Sequence, residues 1–274
     1  MARFGSAHLL ITRPLAQAEP WAEQLATLGI SGQCIPVLEL VALSSPEQVQ
    51  AIKNRVLDFD LFQKAIFVSQ NAVDFGMAWL EDYWPQLPLG IDYFAVGEAT
   101  ARSLRARGLA VSALGATEQG AMNSESLLQA PEFQQVAGEK ILIFRGLGGR
   151  GHMGEILRER GAQVEYCELY QRCLPVGAPA ALADFFARRL SQPNPLVLAI
   201  HSGDSLNFFM QALGKQPLID RQRVLNLPLL VPGSRVAALA QAQGFRQIIC
   251  AENATDRAMT QALVNYLSEN ESRD

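Results

Sequence analysis

The stretch Lys140-Ile141-Leu142-Ile143-Phe144-Arg145-Gly146 repeats the pattern of His8-Leu9-Leu10-Ile11-Thr12-Arg13-Pro14, which stands 132 positions earlier. The register then holds without a gap: Leu15 falls on Leu147, Glu23 on Glu155, Leu25 on Leu157 and Gly29 on Gly161. Each copy reads as a buried strand, an arginine at its carboxyl end, an amphipathic helix, a glycine stop and a second extended run. Further units recur downstream. Ala65-Ile66-Phe67-Val68-Ser69 and Leu198-Ala199-Ile200-His201-Ser202 are apolar strands that end in serine and lead into helices. Phe94-Ala95-Val96-Gly97 and Leu229-Leu230-Val231-Pro232 feed helices that stop at Gly108 and Gly244, and a last helix opens on Ser124-Glu125 or Thr255-Asp256. The order A-B-C, A′-B′-C′ with alternating strands and helices predicts an α/β protein of two similar domains, each a parallel sheet flanked by helices.

Bulk properties agree with that expectation. A chain of 274 residues accommodates two domains of about 130 residues each. With 49% hydrophobic and 18% charged residues the composition is globular. No apolar run approaches the ~20 residues a membrane span requires, and Met1 to Gly5 shows no signal-peptide core, so a cytoplasmic chain without membrane attachment is expected. Cys34, Cys167, Cys173 and Cys250 are scattered without a CxxC pair and read as reduced thiols. A net charge of −4 argues against nucleic acid as a partner. An acidic chain can still bind an anion locally, through arginines and helix amino ends.

Ligands of open parallel sheets bind beyond the carboxyl ends of the strands. Here those loops carry Arg13, Ser69-Gln70-Asn71, Gly97-Glu98-Ala99-Thr100, Arg145 to Gly151, Ser202-Gly203 and Gly233-Ser234-Arg235. They are rich in glycine, hydroxyl and guanidinium and nearly free of carboxylate, a donor set for phosphate or carboxylate groups. Gly146-Leu147-Gly148-Gly149-Arg150-Gly151 is also a literal G-x-G-x-x-G after a strand, with Glu165 and Glu168 about twenty residues on. That is the context of a dinucleotide-binding fingerprint. Against it, the equivalent copy, Arg13 to Ala18, lacks the glycines, and no residues for hydride chemistry surround it. Zinc-ligand spacing, paired carboxylates and a Ser-His-Asp order are absent, and His8, His152 and His201 are too separated in context to propose a metal site.

At these same residues the chain resembles the uroporphyrinogen-III synthase family. Leu10-Ile11-Thr12-Arg13-Pro14 with Cys34-Ile35-Pro36-Val37-Leu38-Glu39, then Ile66 to Val73, Ala95 to Ala101, Arg145-Gly146 with Gly149-Arg150, and Tyr170-Gln171-Arg172 are similar to its successive blocks, over residues 8 to 265. The resemblance implies a flavodoxin-like, doubly wound fold and a discontinuous first domain, 1–36 plus 174–274. A second domain would cover 41–167, with 37–40 and 168–173 as a two-strand hinge. It also implies the activity, closure of the linear tetrapyrrole hydroxymethylbilane with loss of water and inversion of the terminal pyrrole, as a step of heme biosynthesis, without a cofactor; a monomer is expected because no helix shows a second exposed apolar stripe. Such a task is largely conformational and suits a site of neutral donors.

Tyr170 is the expected catalytic residue, because a phenol stays protonated at neutral pH and can donate to a departing hydroxyl. Its alternative role is packing against one domain. The expected substrate contacts are Arg13, Ser69, Gln70, Asn71, Gly97, Thr100, Arg145, Gly146, Gly149, Ser202, Gly203 and Ser234. The hydroxyls among them serve equally as helix caps, and the arginines equally as structural ion pairs. His201 stands where the family more often has threonine or another small or apolar residue and reads as a variant core position. Pro232 to Arg235 lacks the Gly-Glu-Ala-Thr pattern of its counterpart and takes over no threonine role. Two other readings stand beside this one: a non-catalytic two-domain binder of an anionic ligand, and a nucleotide-dependent enzyme using Gly146, Gly148 and Gly151.

Overall fold

The computed structural model describes residues 7–111, 124–149, 151–192 and 194–271. Arg150 and the side chains of Ser124 and Glu271 lie outside them. The chain divides into two compact units, Met1–Glu39 with Cys173–Asp274, and Leu40–Arg172.

Numbered along the chain, the first unit holds strands β1 (His8–Ile11), β2 (Ser31–Cys34), β8 (Leu196–Ala199), β9 (Pro228–Pro232) and β10 (Gln247–Ala251). They form a five-stranded sheet in the order β10-β9-β8-β1-β2, and every pairing in it is parallel. The chain winds outward from β1 in both directions, the flavodoxin-like order, and the order reverses between β1 and β8. Around the sheet lie α1 (Leu15–Thr27), α7 (Ala178–Arg189), α8 (Gly203–Gly214), α9 (Arg221–Leu225), α10 (Gly233–Ala242) and α11 (Asp256–Glu271).

The alternation of a strand explains why helices cover both faces. Leu10 points into a core with Phe185, Phe186 and Phe209, whereas Leu9 and Ile11 point into another with Trp21, Leu25 and Leu263. All of these side chains are at most 1% exposed. Burying a side chain of this size contributes roughly 1.5–3 kcal/mol each.

The second unit holds β3 (Glu39–Ala42), β4 (Lys64–Phe67), β5 (Asp92–Ala95), β6 (Lys140–Gly146) and β7 (Gln163–Cys173), ordered β3-β7-β6-β4-β5. Its helices are α2 (Pro46–Leu57), α3 (Gln70–Tyr83), α4 (Glu98–Ala106), α5 (Ser124–Gln129) and α6 (His152–Glu159). The β4–β5, β4–β6 and β6–β7 pairs are parallel, and a parallel bridge from Tyr93 to Val111 extends the sheet beyond β5. Here too one strand serves two cores: Leu142 and Phe144 face one, Ile141 and Ile143 the other. Both sheets are thus assembled from pieces of each repeat. β1 and β2 of the first copy join β8 to β10, while β6 and β7 of the second copy join β4 and β5.

Helix ends follow the local chemistry. Ser69 and Ser202 cap α3 and α8, accepting the backbone N–H of Ala72 at 3.1 Å and of Ser205 at 3.0 Å. The repeated stops Gly29, Gly161, Gly108 and Gly244 all have φ between 80° and 100°, where a side chain would strain the backbone.

Candidate functional site

In each unit the order of strands reverses beside the strand that carries the repeated arginine. In the first unit the carboxyl end of β1 delivers Thr12 and Arg13, and that of β8 delivers His201, Ser202 and Gly203. The Thr12 hydroxyl donates to the Ala199 carbonyl at 2.8 Å and ties the two strand ends together. Arg13 is only 7% exposed. Its Nη1 donates to Asp256 Oδ1 at 2.7 Å, its Nη2 donates to the Gln17 carbonyl, and its guanidinium carbon lies 5.1 Å from the centre of the Trp21 ring. Asp256 opens α11, where the helix dipole favours a negative charge.

His201 meets Trp21 edge to face, with ring centroids 5.0 Å apart. Both of its ring nitrogens are buried without a hydrogen-bond partner among the described residues. Burial, and then the Arg13 charge, hold the imidazole far below its ordinary range, at about 4, so it is neutral at pH 7. Ser202 bonds Ser205 Oγ at 2.9 Å besides capping α8. Gly203 is buried, and a Cβ there would approach Leu239 Cδ1 at 3.2 Å. Ser234 is exposed at the start of α10.

In the second unit β6 delivers Arg145 and Gly146, and β4 leads into Ser69, Gln70 and Asn71. Arg145 is 5% exposed, with its guanidinium over the Tyr166 ring at 4.5 Å and its Nε 3.7 Å from Glu168 Oε1. Gly149 lies against that guanidinium, since a Cβ there would stand 2.5 Å from Arg145 Nη2. Gly97 has φ 95°, a conformation glycine supplies, and precedes α4. Thr100 is buried and donates its hydroxyl proton to the Val96 carbonyl at 3.0 Å, leaving lone pairs but no proton for a ligand.

Tyr170, near the end of β7, is 1% exposed. Its ring stacks on Phe75 at 5.0 Å and lies so close to Gly146 that a Cβ there would meet Tyr170 Cε2 at 2.7 Å. Its hydroxyl is 3.0 Å from Ser69 Oγ. The structure thus joins Tyr170, Ser69, Gly146 and the start of α3 in one cluster.

The sequence reading of these loops as nearly free of carboxylate needs correction. Asp256 and Glu168 stand beside the two repeated arginines, brought there by chain segments remote from them or on the neighbouring strand. Glu168 also accepts the Gly148 backbone N–H at 3.2 Å. An acid therefore occupies an amide that a dinucleotide fingerprint would turn to pyrophosphate. Asp256 and Trp21 were missed because nothing local marks them as partners of Arg13. Among the described residues no three His, Cys, Asp or Glu side chains cluster as a metal ion requires, and no helix is long and apolar enough to cross a membrane.

Each unit is a doubly wound α/β sheet with an arginine and a capping serine at its switch point, which places the chain among duplicated α/β proteins. Comparison with known proteins narrows this class. A family model described as uroporphyrinogen-III synthase HemD matches residues 19–261. The uroporphyrinogen-III synthases of Escherichia coli and Salmonella typhimurium are each 34% identical over 93% of this chain and 99% of their own. The chain belongs to the uroporphyrinogen-III synthase family.

Solved structures share the fold. A mutant uroporphyrinogen III synthase from the extremely thermophilic bacterium Thermus thermophilus matches with a TM-score of 0.58 at 20% identity, over 96% of this chain and 99% of that one. The uroporphyrinogen-III synthetase of Helicobacter pylori matches with 0.59 at 16% identity, over 95% and 99%.

Proposed function

We propose that this chain is the uroporphyrinogen-III synthase of its cell, a carbon–oxygen lyase that closes hydroxymethylbilane with loss of water and inversion of the terminal pyrrole. The observation that carries the reading is membership of the family along almost the whole length of its relatives. The duplicated strand ends fit it, since a polycarboxylate needs several donors held in fixed positions. In this reading Arg13, Arg145, Gln70, Asn71, Ser202, Ser234 and the backbone at Gly97, Gly146, Gly149 and Gly203 hold carboxylates, and Thr100 positions its helix. The chain acts as a monomer in the cytoplasm, residues 37–40 and 168–173 serve as the hinge, and no cofactor takes part.

Tyr170 is assigned to the leaving group. Ser69 Oγ already accepts the Ala72 N–H, so its own proton is free to go to the phenol oxygen. The phenol proton then points away from Ser69, toward the hydroxyl that departs from the substrate. Because Tyr170 is 1% exposed, the side chains over it must draw back as substrate enters. General acid assistance of this kind contributes typically 10²–10⁴-fold, and holding the reactive ends together a further ~7–11 kcal/mol at most.

The test is incubation with freshly made hydroxymethylbilane, oxidation of the products and chromatographic separation of the type I and type III isomers. Type III product is expected. A type I product alone, at the uncatalysed rate, would overturn the assignment and leave a binder of anionic tetrapyrroles.

A further inference from the structure

The strands of the first unit carry the candidate site at their carboxyl ends; their amino ends carry something different. A cavity of about 240 Å³ opens there, lined by Arg189, Leu190, Leu196, Arg223, Asn226 and Leu227 among others. Arg189 ends α7, Leu196 begins β8, and Asn226 and Leu227 lead into β9. The first residue of β1 borders the same region, since the His8 N–H donates to the Pro195 carbonyl at 2.8 Å.

The charges here are one-sided. Arg189 Nη1 donates to Gln192 Oε1 at 2.7 Å and to His8 Nε2 at 2.9 Å. A guanidinium has no acceptor, so His8 Nε2 is the unprotonated ring nitrogen in that contact. Arg223 Nη2 donates to the Leu190 carbonyl. All these partners are neutral. Among the described residues neither guanidinium forms an ion pair with a carboxylate. Asp220, the acid next in sequence to α9, accepts the backbone N–H of Arg223 at its Oδ1. Burial and then the Arg189 charge keep His8 below its usual range, as expected beside an uncompensated cation.

We propose that this cavity binds a small oxyanion of the phosphate class between Arg189 and Arg223. The guanidinium fork matches phosphate oxygens in pairs, and the N–H groups of both arginines not named above remain for it. The volume limits the guest. At about 30 Å³ per water it equals roughly eight waters, enough for phosphate or pyrophosphate and below the ~300 Å³ at which pockets for larger organic ligands begin. With a net charge of −4 the chain offers no general attraction for anions, so any binding must come from this local arrangement. The site is independent of tetrapyrrole closure.

His8 provides a reporter. An anion held by Arg189 cancels the positive charge beside the imidazole and favours its protonated form. The full chain has 3 histidines, so their ring Cε1–H resonances can be followed against pH by NMR, with His8 assigned through His8→Gln. With inorganic phosphate replacing chloride at constant ionic strength, the His8 midpoint should rise by about one pH unit, saturably, while His152 and His201 stay where they are. Arg223→Gln, a change at an exposed residue, should weaken the response at least tenfold, and Arg189→Gln with Arg223→Gln should abolish it, with turnover of hydroxymethylbilane unchanged. Pyrophosphate and ADP arms distinguish a free oxyanion from the phosphates of a nucleotide. A His8 midpoint that moves equally in chloride and phosphate, or a phosphate response that survives in the Arg223→Gln chain, overturns the proposal.

Discussion

Acidification from pH 7 to pH 4 should destabilise the first unit through one side chain, His201. In the folded chain the imidazole sits against Trp21 with neither nitrogen bonded to a described residue, beside the Arg13 guanidinium, and takes a proton only near pH 4. Unfolded, it takes one at its ordinary value of 6.5. As pH falls through this window the unfolded chain binds the proton first, so stability is lost between 6.5 and about 4 and the loss is complete below that. At about 1.36 kcal/mol per pH unit, the interval amounts to about 3 kcal/mol, an upper value because the acid form can relax toward water. Asp256 opposes the shift and Arg13 reinforces it, so the net sign rests on burial. The assay is urea unfolding at several pH values for the parent chain and for His201→Phe, which keeps a ring against Trp21 and removes the titration. The parent should lose about 2–3 kcal/mol more than the variant between pH 7 and 4. His8, also held below its usual range, contributes equally to both chains and cancels. Stability curves that run parallel, or a His201 resonance titrating near 6.5, would refute the reasoning.

Three further outcomes follow from the second unit. Tyr170→Phe keeps the stack on Phe75 and loses only the bond to Ser69, so folding should survive while ring closure slows more than tenfold, measured as type III product per unit time; unchanged turnover removes Tyr170 from the chemistry. Gly146→Ala places a methyl 2.7 Å from the Tyr170 ring, and should cost roughly 1–3 kcal/mol by thermal unfolding as the ring is pushed aside. Burial pushes the Cys167 thiol up to about 12; at pH 8 it should resist alkylation by iodoacetamide that modifies the exposed Cys250, and mass spectrometry of the labelled peptides distinguishes them.

Local signals carried most of the fold. The alternation in Leu9-Leu10-Ile11 marks a strand buried on both faces, the serines at 69 and 202 mark helix starts, and Gly29, Gly108, Gly161 and Gly244 mark helix ends, all of which the structure contains. The switch points themselves came from the strand order, which places the arginine-bearing strands β1 and β6 beside β8 and β4. What escaped the sequence was the company those arginines keep. Arg13 and Asp256 are 243 positions apart, and neither is surrounded by a pattern that names the other. Tyr170 was expected to donate to the departing hydroxyl, with packing against one domain as its alternative role; what no local signal gave is that the absence of a side chain at Gly146 lets its ring lie on β6. His201 was read as a core variant, and the ring does pack on Trp21, but no periodicity encodes that its two nitrogens find no partner among the described residues.

The composition of the two sheets also dictates an order of events during synthesis. Leu40–Arg172 is contiguous and can condense as soon as it has left the ribosome. The opening strand must instead wait for β8, its neighbour from Leu196 onward, to be translated. At about 5–20 residues per second that delay is on the order of ten seconds or more, during which Leu9, Leu10 and Ile11 have only the short edge strand β2 to pair with. The nascent chain therefore carries a sticky amino-terminal segment past a finished domain, and slowed translation beyond Arg172 would lengthen its exposure to chaperones and to aggregation.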